Sequence, residues 1–318
     1  MKTATQGLQT LPVERTASLT PEIFHQRYLT GSGKPVIVSD ALNSWEAVSR
    51  WSFDLFKARY GADRVSPKIF RGVKRVKLMT LSEFLDYLDA PDAVSPGLWI
   101  DPETLYPCAA PADPGSSPLY LVWDGFGMHP ELLDDVELSP TFVEDWLPLL
   151  PPGLRGALNT TKFFSAGFMI GPKGAQIGLH YDFLQSHAYL AQIIGKKRCL
   201  LFSPEDSVAL YGGKVNPDVP DFKEFPLFRN VTAYQCTLEP GELLFMPCGW
   251  WHHVVSLEKS VTVNYNFFNR VNFSGYLTHL LREMPLVVSA LEQLPDQRAA
   301  LGIKWKSRGF DFPESGVV

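Results

Sequence analysis

Two short stretches of this chain carry side chains that could hold a metal ion. The first is His180-Tyr181-Asp182, at the end of the run Gly174-Ala-Gln-Ile-Gly-Leu-His-Tyr-Asp. Residues two apart on an extended strand share a face, so this imidazole and this carboxylate can be presented together. The second is Gly241-Glu-Leu-Leu-Phe-Met-Pro247-Cys248-Gly249-Trp250-Trp251-His252-His253, where Gly and Pro bound a strand that ends in further imidazoles. Alternation lets only one of His252 and His253 face the metal side. Two imidazoles and one carboxylate form the donor set of non-haem Fe(II) oxygenases, and three protein ligands leave open positions for chemistry. The same donors suit redox-inert zinc, and a His-x-Asp alone is common in any sequence. What raises the assignment is that both segments occur together, each in strand-like surroundings.

These side chains need a scaffold that brings distant strands face to face. From Leu119 the chain reads as short apolar strands separated by Gly and Pro: Leu119–Trp123, Lys162–Ile170, Ala188–Ile194, Lys197–Phe202, Gln235–Leu238, Leu243–Met246, His252–Ser256 and Ser260–Phe268. Such a series predicts a mainly β fold, a barrel or jelly roll. Before it, Thr20-Pro21-Glu22 is a helix-start signal, Lys34–Val38 reads as a strand entered through Pro35, and Trp51–Tyr60 and Ser82–Leu88 read as helices. Residues 101–118 hold five prolines and read as a long loop. Residues 212–230 are too rich in Pro and Gly for a strand and are expected to cover a barrel mouth. After Arg270, Tyr276, Leu280, Leu281, Met284, Leu286 and Val287 form one apolar helical face. The expected organisation is one composite catalytic domain: an N-terminal region (1–118) packed on a barrel (119–270), then a C-terminal helical segment (271–318).

Composition excludes little beyond extremes. A net charge of -5 argues against a general nucleic-acid binder, which needs a basic surface. Aromatics at 13% suit a β-rich core. The four cysteines are scattered without a CxxC pair, the opening MKTATQGLQT lacks an apolar signal core, and no apolar run reaches membrane-helix length. The expectation is a soluble cytoplasmic protein with no membrane partner. Trp250 and Trp251 read as packing or as channel wall, with packing favoured for at least one. Cys248 reads as an apolar filler, and His25, His129 and His279 as residues outside any motif.

Beyond the two metal segments, Gly195-Lys-Lys197-Arg198-Cys-Leu-Leu-Phe202-Ser-Pro204 and Thr262-Val-Asn264 complete a pattern that resembles the JmjC/cupin-8 oxygenases. Within that family the closest general likeness is to the asparaginyl hydroxylase that inhibits hypoxia-inducible factor. The resemblance implies a double-stranded β-helix (jelly-roll or cupin) barrel with N-terminal helices and a C-terminal helical segment. It implies Fe(II) held by His180, Asp182 and His252, the spacing Gly241-x5-Pro-x-Gly-x2-His selecting His252 over His253. Ser186 and His187 stand where a four-ligand cupin carries Glu, so three ligands remain. The resemblance further implies 2-oxoglutarate as cosubstrate, with Lys197 pairing its distal carboxylate, Tyr120 hydrogen-bonding the same group and Asn264 near its other end. Arg198 is an alternative cation but lies on the opposite strand face, and Asn266 shares the face of Asn264.

Departures from the family pattern are Ile177, where Thr or Ser is frequent, and a longer interval from His180 to Lys197. That interval puts Ser186, His187 and Ala188 where an Asn is expected, so His187 stands either as a polar contact or as a wall residue. The implied activity is hydroxylation of a C–H bond, on an amino-acid side chain of a protein or peptide or on an amino-acid-like molecule. The competing readings are a JmjC-type N-demethylase, a zinc cupin with non-oxidative chemistry, and an inactive binding module. The C-terminal helices are a candidate homodimer contact.

Overall fold

The computed structural model describes residues 7–70, 74–91, 98–109, 117–149 and 166–283. The N-terminal region supplies β1 (Gln9–Pro12), β2 (Glu14–Thr16) and β3 (Val36–Val38). It then builds a small separate sheet from β4 (Arg64–Val65), β5 (Lys68–Ile69), β6 (Arg75–Thr80), β7 (Leu98–Ile100) and β8 (Pro107–Cys108). The barrel strands follow as β9 (Leu121–Trp123), β10 (Ala166–Gly171), β11 (His187–Ile194), β12 (Lys197–Phe202), β13 (Thr232–Leu238), β14 (Leu243–Met246), β15 (Trp251–Ser256) and β16 (Ser260–Phe267). One barrel sheet has the order β1-β13-β12-β15 and the other β2-β3-β14-β11-β16-β10-β9. Two such sheets make the jelly-roll architecture that the strand series predicts.

Side-chain parity shows what each face does. In β12 and β15 the inward row holds Lys197, Cys199, Leu201, His252 and Val254; the outward row holds Leu200, Phe202, Trp251 and His253. In β16 the outward row is apolar, with Val261, Val263, Tyr265 and Phe267, and the row facing the barrel interior is the polar one, Thr262, Asn264 and Asn266. Burial on both faces gives β11 its nearly unbroken apolar sequence.

Each sheet's outer face is covered. Over the large sheet pack the helices Pro21–Phe24 and Phe53–Tyr60, with Trp51, Phe56, Trp123 and Phe126 gathered around Phe168. Each such aromatic contributes about 1.5–3 kcal/mol of burial free energy. Over the four-stranded barrel sheet lie the 3-10 segments Pro204–Gly213 and Pro226–Asn230, which bury Leu210 and Phe228 against Phe202 and Trp251. Thr80 caps the helix Leu81–Tyr87 in a reciprocal box with Glu83, and Ser52 caps Phe53–Tyr60.

Several expectations need correction in detail. The loop over 101–118 contains β8, which pairs with β7, while residues 110–116 lie outside the described ones. The segment 212–230, expected over a barrel mouth, packs instead on the outer face of the four-stranded barrel sheet. Residues 9–16, read as no element, form β1 and β2, which pair parallel with β13 and β3. The C-terminal helix is described over Phe273–Glu283, where Tyr276 packs on Phe268; Met284, Leu286 and Val287 lie outside the described residues. No described helix is long and apolar enough to cross a membrane.

Candidate active site

His180 and His252 meet through the backbone. Each donates its amide N–H to the other's carbonyl, at 3.1 and 2.7 Å, as an isolated antiparallel pair. Directly opposed residues in such a pair place their side chains together, and the two imidazole rings sit 4.2 Å apart between centroids. Asp182 follows two residues on, outside any regular strand, where its spacing suggests one. A short turn, Phe183–Gln185, then reverses the chain into β11, with Leu184 and Gln185 both at left-handed φ (59° and 55°). On the other segment, Trp250 N–H bonds Pro247 O, and Gly249 supplies the φ of 77° that this turn needs before β15 begins.

Candidate donor atoms of His180, Asp182 and His252 all lie within 4.8 Å of one another. The tautomers suit a metal. His180 Nδ1 lies 2.9 Å from Gly178 O and His252 Nδ1 lies 3.2 Å from Trp250 O. A carbonyl only accepts, so each Nδ1 carries the proton and each Nε2 keeps its lone pair. Burial, with the neighbouring His180, pushes the His252 imidazole down to about 4, so it stays neutral near pH 7 despite Asp182. Asp182 Oδ1 is 3.7 Å from His252 Nε2, and its Oδ2 accepts from Asn266 Nδ2 at 3.0 Å. These are the donors, protonation states and outer hydrogen bonds that a divalent first-row metal requires.

The three residues open on a narrow cavity of about 30 Å³ that reaches between the sheets. At its other end are Lys197, 1% exposed, and Tyr120, 3% exposed, with Nζ donating to the phenol oxygen at 2.7 Å. No carboxylate pairs with Lys197 among the described residues. Burial without a counter-ion pushes this amine down to about 7, and burial raises Tyr120. Ile177, Leu190, Met169 and Val254 form apolar walls, and Asn264 adds an amide. The cavity therefore carries a desolvated cation at one end and a metal-type donor set at the other. An elongated anion with a second chelating group matches both.

The structure brings together His180, Asp182, His252, Lys197, Tyr120 and Asn264 around this one space. His253 points the other way, where its Nε2 meets Asp218 at 3.0 Å and Arg198 pairs with the same carboxylate. Burial pushes the Asp218 carboxyl up, but His253 and Arg198 outweigh it and hold the group down at about 2. His187 also faces away, since it has the opposite parity to Ala188 and Leu190. Its Nδ1 accepts from Cys248 N–H at 3.0 Å, and Phe245 and Phe267 flank the ring, so it is a wall residue and no cavity contact. Trp250 and Trp251 are both packing: their indoles donate to Ser32 O and Ser207 Oγ, each at 2.9 Å. Asn266, which holds Asp182 from behind and also donates to Ser186, is visible in the sequence only as a polar residue near the expected site.

A model of the cupin-like domain matches residues 21–273 of this chain. Similar curated proteins include the arginine-specific demethylase JMJ20 of Arabidopsis thaliana, 26% identical over 301 residues that cover 86% of this chain and 60% of that protein. The lysine-specific demethylase JMJ21 of the same plant is 28% identical over 275 residues, 82% of this chain and 26% of its own. The human tRNA wybutosine-synthesizing protein 5 is 44% identical over 108 residues, 32% of this chain and 34% of its own. The chain thus spans less than two thirds of each of these relatives. They carry the JmjC kinship and do not bear out the finer likeness to an asparaginyl hydroxylase.

Proposed function

The chain belongs to the cupin-like, JmjC-type domain family, and from that membership we propose that it is an Fe(II)- and 2-oxoglutarate-dependent oxygenase acting on a C–H bond of an amino-acid side chain in a protein or peptide. Members of this family are Fe(II)/2-oxoglutarate oxygenases, demethylases and hydroxylases among them. One observation carries the proposal: a His-Asp-His donor set and a buried, uncompensated lysine face the same cavity. A zinc cupin with non-oxidative chemistry has no use for that lysine, and an inactive binding module has no use for the triad.

In this reading His180, Asp182 and His252 hold the iron, and Lys197 with Tyr120 binds the distal carboxylate of 2-oxoglutarate. Iron and cosubstrate together supply the oxidising power, 2-oxoglutarate going to succinate and CO₂ while one atom of O₂ enters the substrate C–H bond. The chain's own residues bind and orient. Lys197 fixes the dicarboxylate through a charge-assisted bond, and the apolar walls keep water from the cosubstrate. Oxidation of an N-methyl C–H bond uses the same arrangement, which makes demethylation and hydroxylation outcomes of substrate choice.

The test is anaerobic addition of 2-oxoglutarate to the Fe(II)-loaded protein. A weak visible absorption band should grow in, and admission of air should yield succinate. Protein that binds Fe(II) but shows neither would sink the reading.

A second substrate class has a specific observation behind it. The net charge of -5 averages over a segregated distribution, because Arg64, Lys68, Arg71, Lys74, Arg75 and Lys77 fall in one stretch without an acid among them. Arg64, Lys68 and Lys74 are exposed, and the backbone of Lys68 pairs with that of Tyr120 at the cavity. With the similarity to the tRNA wybutosine-synthesizing protein, this favours a modified nucleoside in tRNA as the alternative substrate. Phosphate contacts predict tRNA binding that weakens steeply as salt rises from about 50 to 200 mM. Absence of salt-dependent tRNA binding would leave the protein or peptide substrate.

A further inference from the structure

Asp182 has two oxygens, and the fold treats them differently. Oδ1 lies 3.7 Å from His252 Nε2, on the side where the imidazole lone pairs converge. Oδ2 accepts from Asn266 Nδ2 at 3.0 Å. A carboxylate only accepts, so the Asn266 atom that faces it must be the amide nitrogen. That nitrogen also donates to Ser186 Oγ at 3.0 Å, which uses both of its protons. The Asn266 oxygen is left to accept, and Asn264 Nδ2 takes that place at 2.6 Å. Donation therefore runs one way, from Asn264 through Asn266 to Asp182. Asn264 lines the cavity, while Asn266 is buried on the same inward row of β16.

We propose that Asn266 is a positioning residue that presents Asp182 to the metal through Oδ1 and, through Asn264, couples the cavity wall that faces the cosubstrate to the metal carboxylate. The proposal rests on the oxygenase reading for the identity of the metal and the dicarboxylate. Its physical content is separate. A carboxylate whose second oxygen is free can bind a metal through both atoms and occupy a position that the cosubstrate needs. Asn266 disfavours that option by holding Oδ2 turned toward its own amide. The amide orientation of Asn264 is then set by Asp182 itself, so disturbing one end disturbs the other.

The test is an anaerobic Co(II) titration of the metal-free protein, with and without 2-oxoglutarate, followed by calorimetry and by the visible ligand-field spectrum of the bound ion. Asn266→Leu keeps the size of the side chain and removes its bonds; Asn266→Asp keeps the shape and reverses the polarity; Asp182→Ala is the reference. Both Asn266 variants should raise the Co(II) Kd about 10-fold or more, as loss of an outer partner does at other metal sites. They should also alter the spectrum and shrink the tightening of Co(II) that 2-oxoglutarate gives the wild type. If the Leu variant does not fold, the isosteric Asp variant decides. Wild-type affinity and spectrum in a folded Asn266 variant, while Asp182→Ala loses Co(II), would overturn the proposal and leave the oxygenase reading standing. If 2-oxoglutarate leaves wild-type Co(II) binding unchanged, the oxygenase reading and the coupling fall together. The orienting role is then judged on Co(II) affinity alone.

Discussion

Replacing Asp182 with alanine is expected to reduce Fe(II) or Co(II) affinity by more than about 100-fold and to abolish succinate formation, with the fold retained. The size follows from what the substitution removes. Asp182 is the only carboxylate in the triad, and two neutral imidazoles alone present no negative charge to a divalent ion. The fold should survive because the Asp182 side chain is 21% exposed and belongs to no core cluster. Its main structural debit is the Asn266 N–H left without an acceptor, worth about 1–3 kcal/mol. Asp182→Asn can keep that bond while losing the charge, so it should fall between wild type and the alanine variant. Metal titration and a thermal melt on the same samples check this, and undiminished affinity in a folded Asp182→Ala protein would remove Asp182 from the metal site.

The second large effect is expected at Lys197. Lys197→Met should raise the KM for 2-oxoglutarate by roughly two to three orders of magnitude, the cost of leaving a buried carboxylate without its cation. Without cosubstrate, the same variant should be at least as stable as wild type. In the folded protein burial holds this amine at about 7, against an ordinary value of 10.5, so the unfolded chain binds the extra proton between those limits. The stability associated with this group is therefore highest above pH 10.5, declines as pH falls, and reaches its floor below about pH 7. The total penalty is up to about 5 kcal/mol. A methionine of similar volume carries no such penalty and gives up only the bond to Tyr120. An incoming dicarboxylate reverses the shift, so its binding between pH 7 and 9 should take up a proton. Calorimetry in buffers of different ionisation enthalpy measures that uptake. No uptake in wild type, or equal uptake in Lys197→Met, would mean that another group meets the cosubstrate.

Much of this site is legible in the sequence because the informative relations are local. Lys197–Phe202 and Leu243–Met246 read as strands to the residue, being bounded by Gly195, Pro204, Gly241 and Pro247. Parity along β15 separates His252 from His253, and parity along β12 separates Lys197 from Arg198. What stayed hidden depends on partners far along the chain. The role of Asn266 needs Asp182, and the burial of His253 needs Asp218, which arrives on a covering segment that reads only as a loop. Local sequence leaves His187 open between two roles; only the register of β11 against β14 and β16 turns it outward, between Phe245 and Phe267. β1 and β2 carry exposed polar residues with no apolar alternation, so they look like strands only once an edge is available to pair with.

That pairing sets the order in which the protein can be completed. β1 registers Gln9 against Thr232, and β3 registers Val36 against Phe245, so these strands must wait for barrel strands made about 200 residues later, as the register shows. Closing such long loops is entropically slow, and local helices such as Phe53–Tyr60 can form long before it happens. The third candidate ligand, His252, is synthesised later still. On the proposed reading, a nascent chain has no complete donor set until its final barrel strands are made, so metal loading would follow assembly of the barrel rather than nucleate it.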